Sequence, residues 1–236
     1  MDITTSTPVV TGASRGLGRA LVDALLERGA TKVYALARDT TAVRVDARVV
    51  AVAFDLTDRD KIAAAAARCS DATLLINNAS TAEFAGPLDA DPAAVRREMT
   101  VNYDGTYATI RAFVPALEAN GDAHVVNVLS LLSLASTAPM AGYSASKAAT
   151  HSLTQALRPV LAARGIMVHG VYPGGIDTGM VAGIDVPKTQ PGDVAAGILD
   201  GLAADEEDIF PDPTAQAMSA TWWSDPKAFE RAFAAA

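Results

Sequence analysis

The chain has 236 residues, of which 50% are apolar and 19% charged, with a formal net charge of -8. These values suit one large domain with a sizeable core and exclude a disordered chain or a long coiled coil. The acidic balance argues against electrostatic binding to nucleic acid or to an anionic membrane, while leaving room for a phosphate held by local donors.

The single Cys69 has no internal disulfide partner. His124, His151 and His169 share no ligand spacing, so no metal site is expected. Residues 1–6 lack a basic stretch followed by an apolar one, and no apolar run reaches membrane-spanning length. A soluble, cytoplasmic protein is the expectation.

Pro8-Val9-Val10 reads as a short buried strand ending in Thr11-Gly12. Gly12-Ala13-Ser14-Arg15-Gly16-Leu17-Gly18 follows, then an amphipathic helix to about residue 28 that Gly29 stops. Strand, glycine turn and helix can cradle a phosphate. Glycines admit the ligand to the backbone, and the helix start offers free N–H groups and a positive dipole end. A plain tight turn has the same composition, but the place at the first strand–helix junction favours the cradle.

Residues 32–38 form a second strand, whose end is where such folds sense an adenosine ribose. An acid there would bond the 2'-hydroxyl, but Ala37 and Arg38 stand there instead. Arg38 and Arg15 are two guanidiniums suited to a 2'-phosphate, the alternative being two solvated arginines. NADP(H) is therefore expected over NAD(H).

A third strand at 49–54 runs into Asp55-Leu56-Thr57-Asp58, where Asp55 either accepts from an adenine amino group or caps the next helix. The fourth strand, 73–76, ends in Asn77-Asn78-Ala79-Ser80, suited to backbone bracing, ribose contact or a simple turn. A long helix within 91–120 carries Asn102-Tyr103-Asp104-Gly105 at its middle. Asn and Gly there cost helix stability and point to a kink with a packing or functional reason.

The fifth strand, 124–129, ends at Ser130, and a helix over 143–164 is stopped by Gly165. Tyr143 and Lys147 lie one turn apart on one face of that helix. An ammonium near a phenol favours the phenolate, which free tyrosine reaches only near pH ~10. The sixth strand, 167–172, leads into Pro173-Gly174-Gly175-Ile176-Asp177-Thr178. Residues 205–208 read as a solvated acidic turn before a last short strand at Ile209-Phe210. Trp222-Trp223, Phe229 and Phe233 lie in a C-terminal helical segment that either packs on the domain or meets another subunit.

The alternation predicts one α/β domain over residues 1–236. Its expected form is a Rossmann fold: a doubly wound, mostly parallel seven-stranded sheet with helices on both faces. The glycine loop, Asn78, Ser130 and Pro173-Gly174 all fall at the C-terminal strand edge, where ligands bind in such sheets.

Together these residues resemble the short-chain dehydrogenase/reductase family over residues 7 to about 180. Thr11 to Gly18 matches its T-G-x-x-x-G-x-G loop, and Tyr143 with Lys147 matches its Y-x-x-x-K pair. Ser130, Asn102 and Pro173-Gly174 with Thr178 match its serine, its asparagine and its carboxamide-binding segment. One departure is Ser80, where the family's N-N-A-G motif has glycine.

The resemblance implies that Tyr143 is the general acid/base, that Ser130 bonds the reacting oxygen and that Lys147 lowers the Tyr143 pKa and binds the nicotinamide ribose. Asn102 would hold a water linking Lys147 to solvent. The implied dinucleotide contacts are Gly12, Ser14, Arg15, Gly16, Leu17 and Gly18 in the loop; Arg38, Asp55, Leu56, Asn78 and Ala79 along the strand ends; and Tyr143, Lys147, Pro173, Gly174, Ile176 and Thr178 around the nicotinamide. Leu131, Leu132, Leu134, Met140, Met180 and Val181 are expected to line an apolar substrate pocket.

The implied activity is hydride transfer between a nicotinamide and a ketone or secondary alcohol, in a homodimer or homotetramer paired through helices 92–119 and 143–163. A dinucleotide-sensing protein without catalysis is one alternative, although it would not need Ser130, Tyr143 and Lys147 together. A reductase of C=C or C=N bonds is another. Enoyl reductases of the family space the tyrosine and lysine more widely than here.

Overall fold

Neighbouring residues on the central strands face opposite ways, and in each pair both are fully buried: Val9 and Val10, Leu75 and Ile76, Val125 and Val126. That is the pattern of parallel strands covered on both faces. The computed structural model, which describes residues 1–234, bears it out. The strands are β1 (Pro8–Thr11), β2 (Val33–Ala37), β3 (Val49–Ala53), β4 (Leu74–Asn77), β5 (Ala123–Val128), β6 (Ile166–Val171) and β7 (Asp208–Ile209). They form one seven-stranded sheet in the order β3-β2-β1-β4-β5-β6-β7. Every strand pairing is parallel.

The helices are α1 (Gly16–Glu27), α2 (Arg59–Arg68), α3 (Pro92–Glu98), α4 (Thr106–Asn120), α5 (Ala141–Ala162), α6 (Pro191–Ala203), α7 (Pro213–Ser224) and α8 (Pro226–Ala234). On one face, Leu21 and Leu25 of α1 and Ile198 and Leu202 of α6 pack on Val10, Ala35, Ile76 and Val126. On the other, Ile62, Phe113, Leu117 and Leu161 pack on Val9, Leu36, Leu75 and Val125. Each such side chain contributes about 1.5–3 kcal/mol when fully buried.

A third cluster gathers Leu129, Leu131, Tyr172, Ala215 and Phe229 beneath the C-terminal helices. Leu131 therefore belongs to this core, with Leu134 packed against it, rather than to an open pocket. Trp222 joins Tyr172 and Phe210 there, while Trp223 is 65% exposed. Asp208 departs from the solvated turn expected of it: it accepts from Arg158 at 2.5 Å and from the Tyr172 hydroxyl at 3.0 Å.

The long helix expected over 91–120 is three pieces. α3 and α4 are joined by a π-helical stretch, Met99–Gly105, which holds the flagged Asn102 and Gly105. A β-carbon on Gly105 would sit 2.7 Å from Leu56 Cβ and 2.9 Å from Leu56 O. Glycine is what lets the end of β3 approach this helix. Among the described residues, no helix is long and apolar enough to cross a membrane.

Candidate active site

The C-terminal ends of β1, β4, β5 and β6 meet at one edge, and most of the flagged residues meet there too. Gly12 and Gly16 have φ of +68° and +54°, a conformation that side chains disfavour. Space is as restrictive as angle. A β-carbon on Gly12 would lie 2.9 Å from Ala79 Cα, and one on Gly18 would lie 2.1 Å from Gly12 O and 2.5 Å from Asn78 Nδ2. Arg15, at the start of α1, makes no side-chain capping bond, and among the described residues no other side chain accepts from the first-turn N–H groups. Backbone donors with a positive dipole end, open on the loop side, form an anion cradle. Thr178 closes over it, its Cγ2 lying 3.2 Å from where a Gly16 β-carbon would stand. Ser14 is half-buried beside the loop, and Leu17 turns inward to the core.

Asn78 serves as a brace. Its Nδ2 donates to Thr11 O at 2.9 Å, and the Asn78 and Ala79 N–H groups both donate to Thr11 Oγ1 at 3.0 Å. Ser80 does not take up a left-handed conformation: among the described residues only Asp122 and Asp205 do so without being glycine. Serine therefore fits where the family motif has glycine.

At the end of β2, Arg38 is exposed and its charge reaches Asp55. Asp55 does not cap α2; Asp58 does, accepting from the N–H groups of Asp60 and Lys61. Asp55 Oδ1 instead accepts from Thr57 N at 2.9 Å and Thr57 Oγ1 at 2.8 Å, and these bonds hold its carboxyl below the usual range. Leu56 is buried against Gly105.

On the other side of the edge, Tyr143 is 8% exposed and lies within the influence of the Ser130 hydroxyl. Ser130 Oγ also accepts from Leu132 N at 3.1 Å, and the Ser133 hydroxyl donates to Ser130 O. Burial pushes the Tyr143 phenol well above its ordinary range, the Ser130 hydroxyl pulls it down, and the Glu98 charge pushes it up. Lys147 departs from the expected arrangement. Its Nζ donates to Val128 O at 2.7 Å and lies 5.6 Å from the Tyr143 ring centre, and the influences on the phenol are burial, Ser130 and Glu98. Burial draws the Lys147 pKa down to about 8.

The Asn102 side chain is fully engaged within the protein. Its Oδ1 accepts from Thr81 N at 2.8 Å, and its Nδ2 donates to Thr81 O and Ser146 Oγ, each at 2.8 Å. Its carbonyl accepts from Thr150 Oγ1 at 3.2 Å. The side chain is thus a strut between the strip after β4 and the Tyr143 helix.

The Pro173-Gly174 segment rests on a residue the motif reading overlooked. Asp212, 1% exposed, accepts from Gly174 N at 2.9 Å through Oδ2 and from Ala215 N at 2.9 Å through Oδ1. It caps α7 and pins the segment at once. Asp212-Pro213 is a helix-start signal readable in the sequence, but its second bond is not. Ile176 bridges to Thr189 and packs on the α1-side core.

The family model described as short chain dehydrogenase matches residues 6–188. The chain is 37% identical over 199 residues to cis-4-hydroxycyclohexanecarboxylate dehydrogenase of Sinomonas cyclohexanicum, covering 80% of this chain and 78% of that protein. It is 35% identical over 181 residues to galactitol 2-dehydrogenase (L-tagatose-forming) of Cereibacter sphaeroides, covering 72% and 71%. A crystal structure of a short chain dehydrogenase from Burkholderia cenocepacia J2315 in complex with NADP superposes with a TM-score of 0.94 at 40% identity, covering 99% of both chains. Glycine cradle, Ser130–Tyr143 pair and sheet order thus stand in the same chain as a family match spanning most of its length. The protein belongs to the short-chain dehydrogenase family of oxidoreductases.

Proposed function

We propose that this protein interconverts a secondary alcohol and a ketone with a nicotinamide dinucleotide, with NADP(H) preferred over NAD(H). The observation that carries the reading is the buried cluster of Ser130, Tyr143 and Lys147 at the sheet edge, the last two one turn apart on α5. The relatives named as dehydrogenases of cis-4-hydroxycyclohexanecarboxylate and galactitol, and the NADP complex of the Burkholderia cenocepacia protein, support it.

The residues present fit a dinucleotide. Gly12, Gly16, Gly18 and the free start of α1 would take the pyrophosphate, with Ser14 and Leu17 in the same turn. Arg15 and Arg38 would face a 2'-phosphate, and Asp55, Leu56 and Ala79 would line the adenosine side. Pro173, Gly174, Ile176 and Thr178 would frame the nicotinamide. When bound, the cofactor supplies or accepts the hydride.

The chain's own part is positioning and proton transfer. Ser130 Oγ, fixed by Leu132 N, holds the substrate oxygen beside Tyr143 Oη. In reduction Tyr143 gives its proton to that oxygen; in oxidation it takes one. Lys147, anchored on Val128 O, keeps a cation beneath the site and would bond a ribose hydroxyl. Asn102 and Ser146 hold the turn that carries both.

The test is near-ultraviolet measurement of NADPH oxidation against a panel of ketones, including cyclic keto acids and ketoses, with Tyr143→Phe as control. Turnover that falls at least about 100-fold in Tyr143→Phe is the expected result. Turnover unchanged in that variant would remove Tyr143 from the chemistry.

A further inference from the structure

The strip following β4 is tied down at every second residue. Thr81 bonds Asn102 through both its N–H and its carbonyl. Glu83 N donates to Glu98 Oε1 at 2.9 Å. Ala85 bridges Met140, the residue before α5. Three elements at the start of the Tyr143 helix thus grip one strip, and the middle grip is a carboxylate. Glu98 is 2% exposed, at the last turn of α3. Its other oxygen abuts the first turn of α5: a β-carbon on Gly142 would lie 2.2 Å from Glu98 Oε2. Gly142 directly precedes Tyr143.

A glutamate with no cation bonded to it is costly to bury, so this placement asks for a reason. The charged groups around it are few. Glu83 approaches from the strip, but its own carboxylate is drawn outward to Arg97 at 3.0 Å. Arg97 and Glu83 act on Glu98 electrostatically in opposite senses, and on α5 its charge reaches Tyr143.

We propose that Glu98 is a positioning residue for Tyr143, its buried carboxylate joining the 81–85 strip to the first turn of α5 and standing as a negative charge against the residue that precedes Tyr143. The inference rests on Tyr143 being the acid/base of the proposed reaction. The charge opposes formation of the phenolate and keeps Tyr143 a proton donor over a wider pH range. It thereby biases the site toward reduction. Ser130 and Lys147 are the groups near the phenol; Ser130 favours the phenolate through its hydroxyl, and Lys147 is held on Val128 O.

The test compares pH profiles of alcohol oxidation for the full-length wild type, Glu98→Gln and Glu98→Ala. Glutamine keeps an acceptor for Glu83 N and removes the charge. Its expected profile keeps the wild-type plateau and shifts the acid limb toward lower pH by about half a unit or more. Alanine loses the acceptor as well, and its plateau is expected to fall about tenfold at unchanged cofactor affinity. A Glu98→Gln profile that coincides with the wild type, or moves to higher pH, would overturn the charge role. Absence of any wild-type turnover would overturn both this and the reading on which it rests. Should Glu98→Gln be insoluble, Gly142→Ala drives a methyl group into Oε2; a lowered plateau is expected, and a wild-type plateau would overturn the contact.

Discussion

At the scale of single residues, the proposed NADP(H) preference is tested at Arg38. It stands exposed at the end of β2, within electrostatic reach of Asp55, in the position from which an acid would repel a 2'-phosphate. Charge-assisted bonds from a guanidinium to a phosphate dianion are worth more than neutral ones and vanish for a plain ribose. Arg38→Asp should therefore weaken NADPH binding about tenfold or more while leaving NADH within about twofold. A fluorescence titration with each dinucleotide reads this directly, and equal weakening of both would assign Arg38 to general electrostatics. The same scale shows what local pattern can convey. Gly12, Gly16, Ser130, Tyr143 and Lys147 were legible because each belongs to a short stretch whose backbone needs or helical spacing can be read from neighbours. The partners of those residues were not. Lys147 bonds Val128 O, 19 residues away, and Gly174 bonds Asp212, 38 residues away. Glu98 carries no local signal in the run Arg96-Arg97-Glu98, and the packing of α3 against α5 buries it.

At the scale of elements, the π-helical stretch between α3 and α4 is the joint that fixes the site. It buries Asn102 as a strut to Thr81 and Ser146, and it brings Gly105 against Leu56. The sequence marked the place, since Asn and Gly are poor mid-helix residues, but read one long helix there. An extra residue in a helical turn leaves the apolar periodicity on either side almost unchanged, so the interruption is hard to see from sequence. Gly105→Ala puts a methyl group 2.7 Å from Leu56 Cβ and forces a shift in the joint. The expected cost is about 1–3 kcal/mol of stability, with turnover falling as Asn102 and the Tyr143 helix lose their mutual register. Urea unfolding and turnover measured on the same variant check both parts. Gly183→Ala is the control: an added methyl there meets nothing within 4 Å, and its stability should stay within about 0.5 kcal/mol of the wild type.

At the scale of the whole molecule, β5 carries a second buried polar system. His124 lies at its start and Ser130 just past its end. Two of the three histidines that share no ligand spacing meet between neighbouring strands β5 and β6, His124 Nδ1 to His169 Nε2 at 2.9 Å, both almost fully buried. His169 Nδ1 lies 2.6 Å from Glu206 O, a group that can only accept, so that nitrogen carries its proton. Its Nε2 is then the acceptor for His124 Nδ1–H, and His124 Nε2 is left bare, 3.9 Å from Asp122 Oδ1. The bond between the rings survives a proton on His124 Nε2 and is lost if His169 Nε2 is protonated. Burial draws both histidines down, His124 to about 4, and the partner imidazole adds to the shift at His124. An unfolded histidine titrates near ~6.5, so below that pH the unfolded chain binds protons that the folded pair refuses. Stability from this pair is complete above the unfolded value and is lost as pH falls from 6.5 toward about 4. At pH ~5 the loss from His124 alone is on the order of 2 kcal/mol. Denaturant unfolding at pH ~7 and ~5 should show that loss in the wild type and a much smaller one in His124→Gln/His169→Gln. Glu98 works in the opposite sense, because burial raises its carboxyl and the folded state gains protons there as pH falls. Glu98→Gln should therefore steepen the acid loss while the double histidine variant flattens it. The two substitutions separate the polar system at the start of the Tyr143 helix from the one at the start of β5.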